Sequence, residues 1–143
     1  MFNNKMEIEE LIEGLIEMTK DNKITWHHIK DNLNVYNIQK TILTAKYPKY
    51  ENKRTENLNF YTEIDNGYII SIELYRENSP NIDILIVVPS INGVNSEIFS
   101  EPQSQLVRLN SLICRQMGVI GEYTGYFGEY LKKVLNTLKS MST

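Results

Sequence analysis

Glu73 and Asp83 are the side chains in this sequence best placed to do chemistry, provided that two neighbouring strands bring them together. They fall in segments that read as consecutive antiparallel strands, in a register that sets one carboxylate opposite the other. Directly opposed residues hold their Cβ atoms about 4.5–5.5 Å apart. Two carboxylates that close raise one another's proton affinity and can divide acid and base roles. The same reverse face of the sheet is expected to carry Asn59, Tyr61 and Ser71. The plainer reading is a pair that is solvated, or bridged by Arg76 or a helix arginine, and no second signature of catalysis accompanies it. Arg108 and Arg115 lie seven apart, hence nearly on one helical face, and suit either an anionic ligand or a solvated surface.

The remaining chemistry-bearing residues point to packing and contact. His27 and His28 are adjacent, so they diverge on a helix or a strand alike, and the chain has no further histidine to complete a metal site. Cys114 has neither histidine near it in sequence to act as base, which makes it an inert thiol. As the only cysteine it has no internal disulfide partner. Trp26, beside Ile24, reads as core, with an interface anchor as the other option. No phosphate loop, dinucleotide fingerprint or triad motif is present, so neither cofactor nor metal is expected. Tyr123, Tyr126, Phe127 and Tyr130 form an aromatic stripe at helical spacing; three hydroxyls in such a stripe need partners, so part of it is expected at an interface.

Those residues must be positioned by a single domain. The chain has 143 residues, 41% of them hydrophobic and 23% charged, which fits one globular unit spanning 1–143. Its net charge of −3 gives no broad electrostatic reason to bind nucleic acid. No apolar run reaches the ~18 residues of a membrane span, and the opening Met1-Phe2-Asn3-Asn4-Lys5 leads into an acidic amphipathic segment unlike a signal peptide. A cytoplasmic protein is the expectation. The abundance of Ile, Asn and Lys suggests an AT-rich bacterial or mobile-element genome.

Residues 5–20 read as a helix, with Ile8, Leu11, Ile12, Leu15 and Ile16 on one stripe and glutamates on the other. The segment Ile24–Ile29 is either a short helix capped by Thr25 or an extended stretch that buries Ile24 and Trp26. From Asn34 the pattern supports a helical turn or two before Pro48, and residues 49–57 read as a loop. The stretch from Leu58 to Val88 reads as a meander. Its first turn contains Asn66-Gly67, the signature of a two-residue turn, but that register mixes polar and apolar partners. A three-residue loop, Asp65-Asn66-Gly67, instead pairs Ile64 with Tyr68, Thr62 with Ile70, Phe60 with Ile72 and Leu58 with Leu74. It also places Gly67 in the left-handed position of a bulge. Across the next turn, Leu74 faces Ile82, Ile72 faces Ile84 and Ile70 faces Ile86, making that face core. Glu97-Ile98-Phe99 offers a further short strand. Ser100-Glu101-Pro102-Gln103 opens a helix with Leu106, Leu109, Leu112, Ile113 and Gln116 in its stripe, and a last helix follows Gly121.

Three features together resemble small uncharacterised α+β proteins of Firmicutes and their mobile elements. They are Thr19-Lys20-Asp21-Asn22-Lys23-Ile24-Thr25-Trp26 after the first helix, the strand pair around Asn66-Gly67-Tyr68, and Leu106-Val107-Arg108-Leu109 continuing to Ile113-Cys114-Arg115-Gln116. The resemblance spans roughly 90 residues, His27–Asn57 being longer than it implies, and it carries no activity or site residues with it.

The expected fold is α+β: an antiparallel three- to four-stranded meander packed against an N-terminal helix and two C-terminal helices. The expected function is that of a non-enzymatic binding protein, probed through Tyr61, Glu73, Asp83, Arg108, Arg115, Tyr123 and Tyr126, that forms homo-oligomers or engages another protein. The alternatives are a small nucleotide-binding or hydrolytic protein using the acidic reverse face, and a mobile-element factor that sequesters a signalling nucleotide or a host protein.

Overall fold

A computed structural model describes residues 5–48, 58–74, 80–100, 103–118 and 125–141. The order is helix α1 (Lys5–Lys20), strand β1 (His27–His28), a turn of 3-10 helix (Ile29–Asp31), helix α2 (Leu33–Lys46), strands β2 (Asn59–Ile64), β3 (Gly67–Leu74), β4 (Ile82–Val88) and β5 (Glu97–Phe99), and helices α3 (Gln103–Met117) and α4 (Gly125–Met141). The strands form one antiparallel sheet in chain order, so the fold is α+β. The meander gains the short strand at Glu97 and also β1, which pairs with the outer edge of β2.

Both faces of this sheet are covered, and that accounts for most of the packing. On one side α1 and α3 bury Ile8, Ile12, Leu15, Ile16, Leu106, Leu109 and Ile113 against Leu58, Phe60 and Leu85. On the other, α2 brings Val35 and Leu43 over Tyr68, Ile70, Ile72, Ile84, Ile86 and Val88. The isoleucine face is core, as the strand alternation requires. The reverse face, where a ligand or partner is expected beside Glu73 and Asp83, is a second core covered by α1 and α3.

Helix α1 ends in a Schellman turn: Asn22 adopts φ +56, Asn22 N–H donates to the Thr19 carbonyl at 3.1 Å and Lys23 N–H to the Met18 carbonyl at 2.8 Å. The chain then bends at Ile24 and enters β1 directly after Trp26, so the short helix capped by Thr25 does not form. Trp26 is core; its Nε1 donates to Thr19 Oγ1 at 3.0 Å, and Thr19 in turn donates to the Leu15 carbonyl at 2.6 Å. Gln116 of α3 clamps the same segment, accepting from Trp26 N–H at 3.0 Å and donating to the Ile24 carbonyl at 2.9 Å.

Two expectations need correction. The segment after Asn34 is not a turn or two but a full helix of 14 residues, capped by Asn32, whose side chain accepts from Val35 N–H at 3.1 Å. Its stripe is hard to read because a glutamine stands in the middle of the buried row Val35, Gln39, Leu43. The first hairpin also has a different register. Ile64 pairs with Gly67, Glu63 with Tyr68, Thr62 with Ile69, Tyr61 with Ile70 and Phe60 with Ser71. The turn is the pair Asp65-Asn66, at φ +50 and +64, a type I′ geometry that Asp and Asn tolerate. Of the remaining expectations, the loop at 49–57, the helix start at Glu101-Pro102 and Gly121 lie outside the described residues.

Gln39 is 1% exposed, and neither of its amide atoms has a hydrogen-bond partner among the described residues. An orphaned buried polar group costs about 1–3 kcal/mol. Replacing it with leucine, of similar volume, removes that cost and joins the apolar row. Gln39→Leu is therefore expected to stabilise the fold by about 1–3 kcal/mol, read as a higher urea midpoint; a lower midpoint would mean that the amide is satisfied in solution.

Candidate functional site

The register between β3 and β4 is the expected one: Leu74 faces Ile82, Ile72 faces Ile84, Ile70 faces Ile86, and Glu73 therefore faces Asp83. What differs is the setting. The pair lies on the side of the sheet that α3 covers, and Asp83 is 5% exposed. Around it α3 lays a polar row into an otherwise apolar interface. Asn110, buried, donates through Nδ2 to Ser71 Oγ at 3.1 Å and to the Leu58 carbonyl at 3.2 Å. One turn further on, the Cys114 thiol donates to Asn110 Oδ1 at 3.6 Å. At the strand ends, Asn81 Nδ2 donates to Glu73 Oε2 at 3.0 Å.

The electrostatics follow from burial. Desolvation, and secondarily the Glu73 carboxylate, push Asp83 from an ordinary carboxylate up to about 7. Desolvation, then Glu73 and Asp83, push the Cys114 thiol up to about 12. The thiol is thus held protonated, the opposite of what a nucleophile needs. Asp83 can hold a proton near neutral pH, but it is buried under α3 rather than open to solvent, while Glu73 beside it is partly exposed.

The structure separates the other expected site residues from this pair. Tyr61 projects from the opposite face, half-buried; its hydroxyl accepts from Asn32 Nδ2 at 3.3 Å and its ring meets Tyr68 edge-on at 5.8 Å. The cause is the hairpin register, since a one-residue slip moves every side chain of β2 to the other face. Arg108 and Arg115 are exposed on the outer side of α3, away from the carboxylates, and take part in no ion pair among the described residues. Tyr123 and Arg76 lie outside the described residues, and of Tyr126 only its place in α4 is described. His27 and His28 diverge: His27 rests on Tyr61 at 5.4 Å and His28 on Phe60 at 5.3 Å. Among the described residues no group of three or more His, Cys, Asp or Glu is arranged to hold a metal, and no helix is long and apolar enough to cross a membrane.

Asn110 is the residue that sequence reasoning missed. It stands four after Leu106 and three before Ile113, both buried, so a polar side chain there is the signal of a buried hydrogen-bonding group.

A second surface is more accessible. In α4, Tyr130 is 58%, Leu138 55% and Met141 76% exposed, while Leu131, Val134 and Leu135 are half-buried. None of the helix's described residues belongs to either core cluster. Leu131, Val134, Leu138 and Met141 follow a 3-4-3 spacing, the seam of a helix that packs on another element. Lys133, Asn136, Thr137, Lys139 and Ser140 are exposed beside it. No protein-family model matches this chain, and comparison with curated proteins and with solved structures finds no match.

Proposed function

We propose that this protein is a non-enzymatic interaction protein that self-associates, with α4 as the contacting element. The observation that carries the reading is the apolar seam of α4, open to solvent at Leu138 and Met141, in a chain whose sheet is already covered on both sides. Contiguous exposed apolar surface marks contact sites in soluble proteins. The burial of Asp83 and the protonated Cys114 thiol speak for a binding rather than a hydrolytic role, since neither group is offered to a substrate.

Sedimentation equilibrium over a wide concentration range tests it. The wild-type chain is expected to exceed the 16.7 kDa monomer mass as concentration rises, and Leu138→Asp to remain monomeric. Burying a leucine contributes about 1.5–3 kcal/mol, so the substitution weakens association at least about tenfold. A wild-type protein that stays at monomer mass at every concentration would remove the proposal.

A further inference from the structure

Beyond α4, three large apolar side chains are exposed at one end of the sheet: Leu33 at 73%, Ile91 at 51% and Val94 at 53%. Hydrogen bonds hold them in place. Asn34 Nδ2 donates to the Ile91 carbonyl at 2.8 Å and to the Tyr68 hydroxyl at 3.2 Å, tying the first turn of α2 to the loop after β4. Within that loop Gly93 N–H donates to the Ser90 carbonyl at 2.8 Å, Val94 N–H to Asn92 Oδ1 at 3.0 Å and Ser96 Oγ to the Gly93 carbonyl at 2.8 Å. Gly93, at φ +85, sits against Ile38, where a Cβ would come within 3.1 Å of that side chain. The loop is thus braced on α2 and presents Ile91 and Val94 beside Leu33.

Acids border this patch. Asp31 is two residues before Leu33, Glu63 is paired with Tyr68, and Asp65 forms the adjoining hairpin turn; all three are exposed, with Lys30 as the nearby cation in sequence. Helix α4 carries the opposite balance, Lys132, Lys133 and Lys139 against Glu129 alone.

We propose that this acid-rimmed apolar end receives α4 of a second copy of the chain. The inference deepens the reading of α4 as the self-associating element and rests on it. Charge favours this pairing over α4 against α4, which would bring together two helices of like net charge. Within one chain Leu33 and Leu138 are each more than half exposed, so neither is covered by the rest of its own chain. A two-fold exchange, each α4 lying on the other copy's patch, satisfies both surfaces and closes at a dimer.

The test combines mass and cross-linking on the full chain. Leu33→Asp, at an exposed position that leaves the core untouched, is expected to raise the dissociation constant at least tenfold, as Leu138→Asp does. In a Cys114→Ser background, a Leu138→Cys protein mixed with an Ile91→Cys protein is expected to form a disulfide-linked heterodimer in preference to either homodimer. If Leu138→Asp abolishes association while Leu33→Asp does not, and Leu138→Cys links mainly to itself, then α4 pairs with α4 and the patch is not its receptor. If Leu138→Asp leaves association intact, the reading of α4 itself fails, and this inference with it.

Discussion

Raising the pH from 5 to 8 is expected to destabilise the folded chain, and Asp83→Asn is expected to abolish most of that loss. In the unfolded chain Asp83 ionises near the ordinary 3.8, whereas in the fold burial and Glu73 hold its carboxyl protonated up to about 7. Between those values the unfolded state has released a proton that the folded state retains, so stability falls as pH rises. The contribution is fully present below about 3.8 and gone once the pH has passed about 7. A tenfold difference in proton affinity is worth about 1.4 kcal/mol, which makes the loss between pH 5 and 8 on the order of 3 kcal/mol. Asparagine keeps the shape without the charge. Urea midpoints of both proteins at the two pH values separate Asp83 from every other titrating group. Glu73→Gln should recover the smaller share, because burial is the larger cause of the shift and Glu73 the lesser. Equal pH dependence in wild type and Asp83→Asn would mean that water or movement of α3 solvates the carboxylate.

How much of this site was legible in advance depends on which contacts are local. The opposition of Glu73 and Asp83 follows from matching Leu74, Ile72 and Ile70 to Ile82, Ile84 and Ile86, a run of apolar partners that admits one register. The cover over the pair is not local. Nothing in the strand pattern says that α3 turns Asn110 and Cys114 onto it, and the Glu73, Ser71 and Asp83 alternation on that face reads as solvent-facing. The same holds for α2: its buried row contains Gln39, so the helix owes its length to packing on the isoleucine face more than to its own amphipathy. In the first hairpin both faces of β2 are partly or wholly buried, so apolar matching discriminates poorly between registers. Apolar matching then favours glycine in a left-handed turn position, whereas Asp65 and Asn66 take that role themselves.

Gly67 is demanded by space, and substituting it should be among the most damaging single changes in the chain. It is the first residue of β3, without positive φ, and a Cβ built there would strike the Val88 carbonyl oxygen and lie 3.0–3.1 Å from the Pro89 carbonyl group. These are backbone atoms of the neighbouring strand, which no rotamer change can move aside. Gly67→Ala is therefore expected to cost about 3 kcal/mol or more, at the upper end of overpacking, and Gly67→Asn at least as much. Asn66→Gly should be nearly neutral, because that residue already sits at φ +64 in the turn. The ranking discriminates between the two hairpin geometries. In a three-residue loop with Gly67 left-handed, asparagine would be the best-tolerated replacement at that position, better than alanine. Urea denaturation of the three variants reads the difference directly: a clash makes alanine and asparagine both severe, while a left-handed requirement spares asparagine.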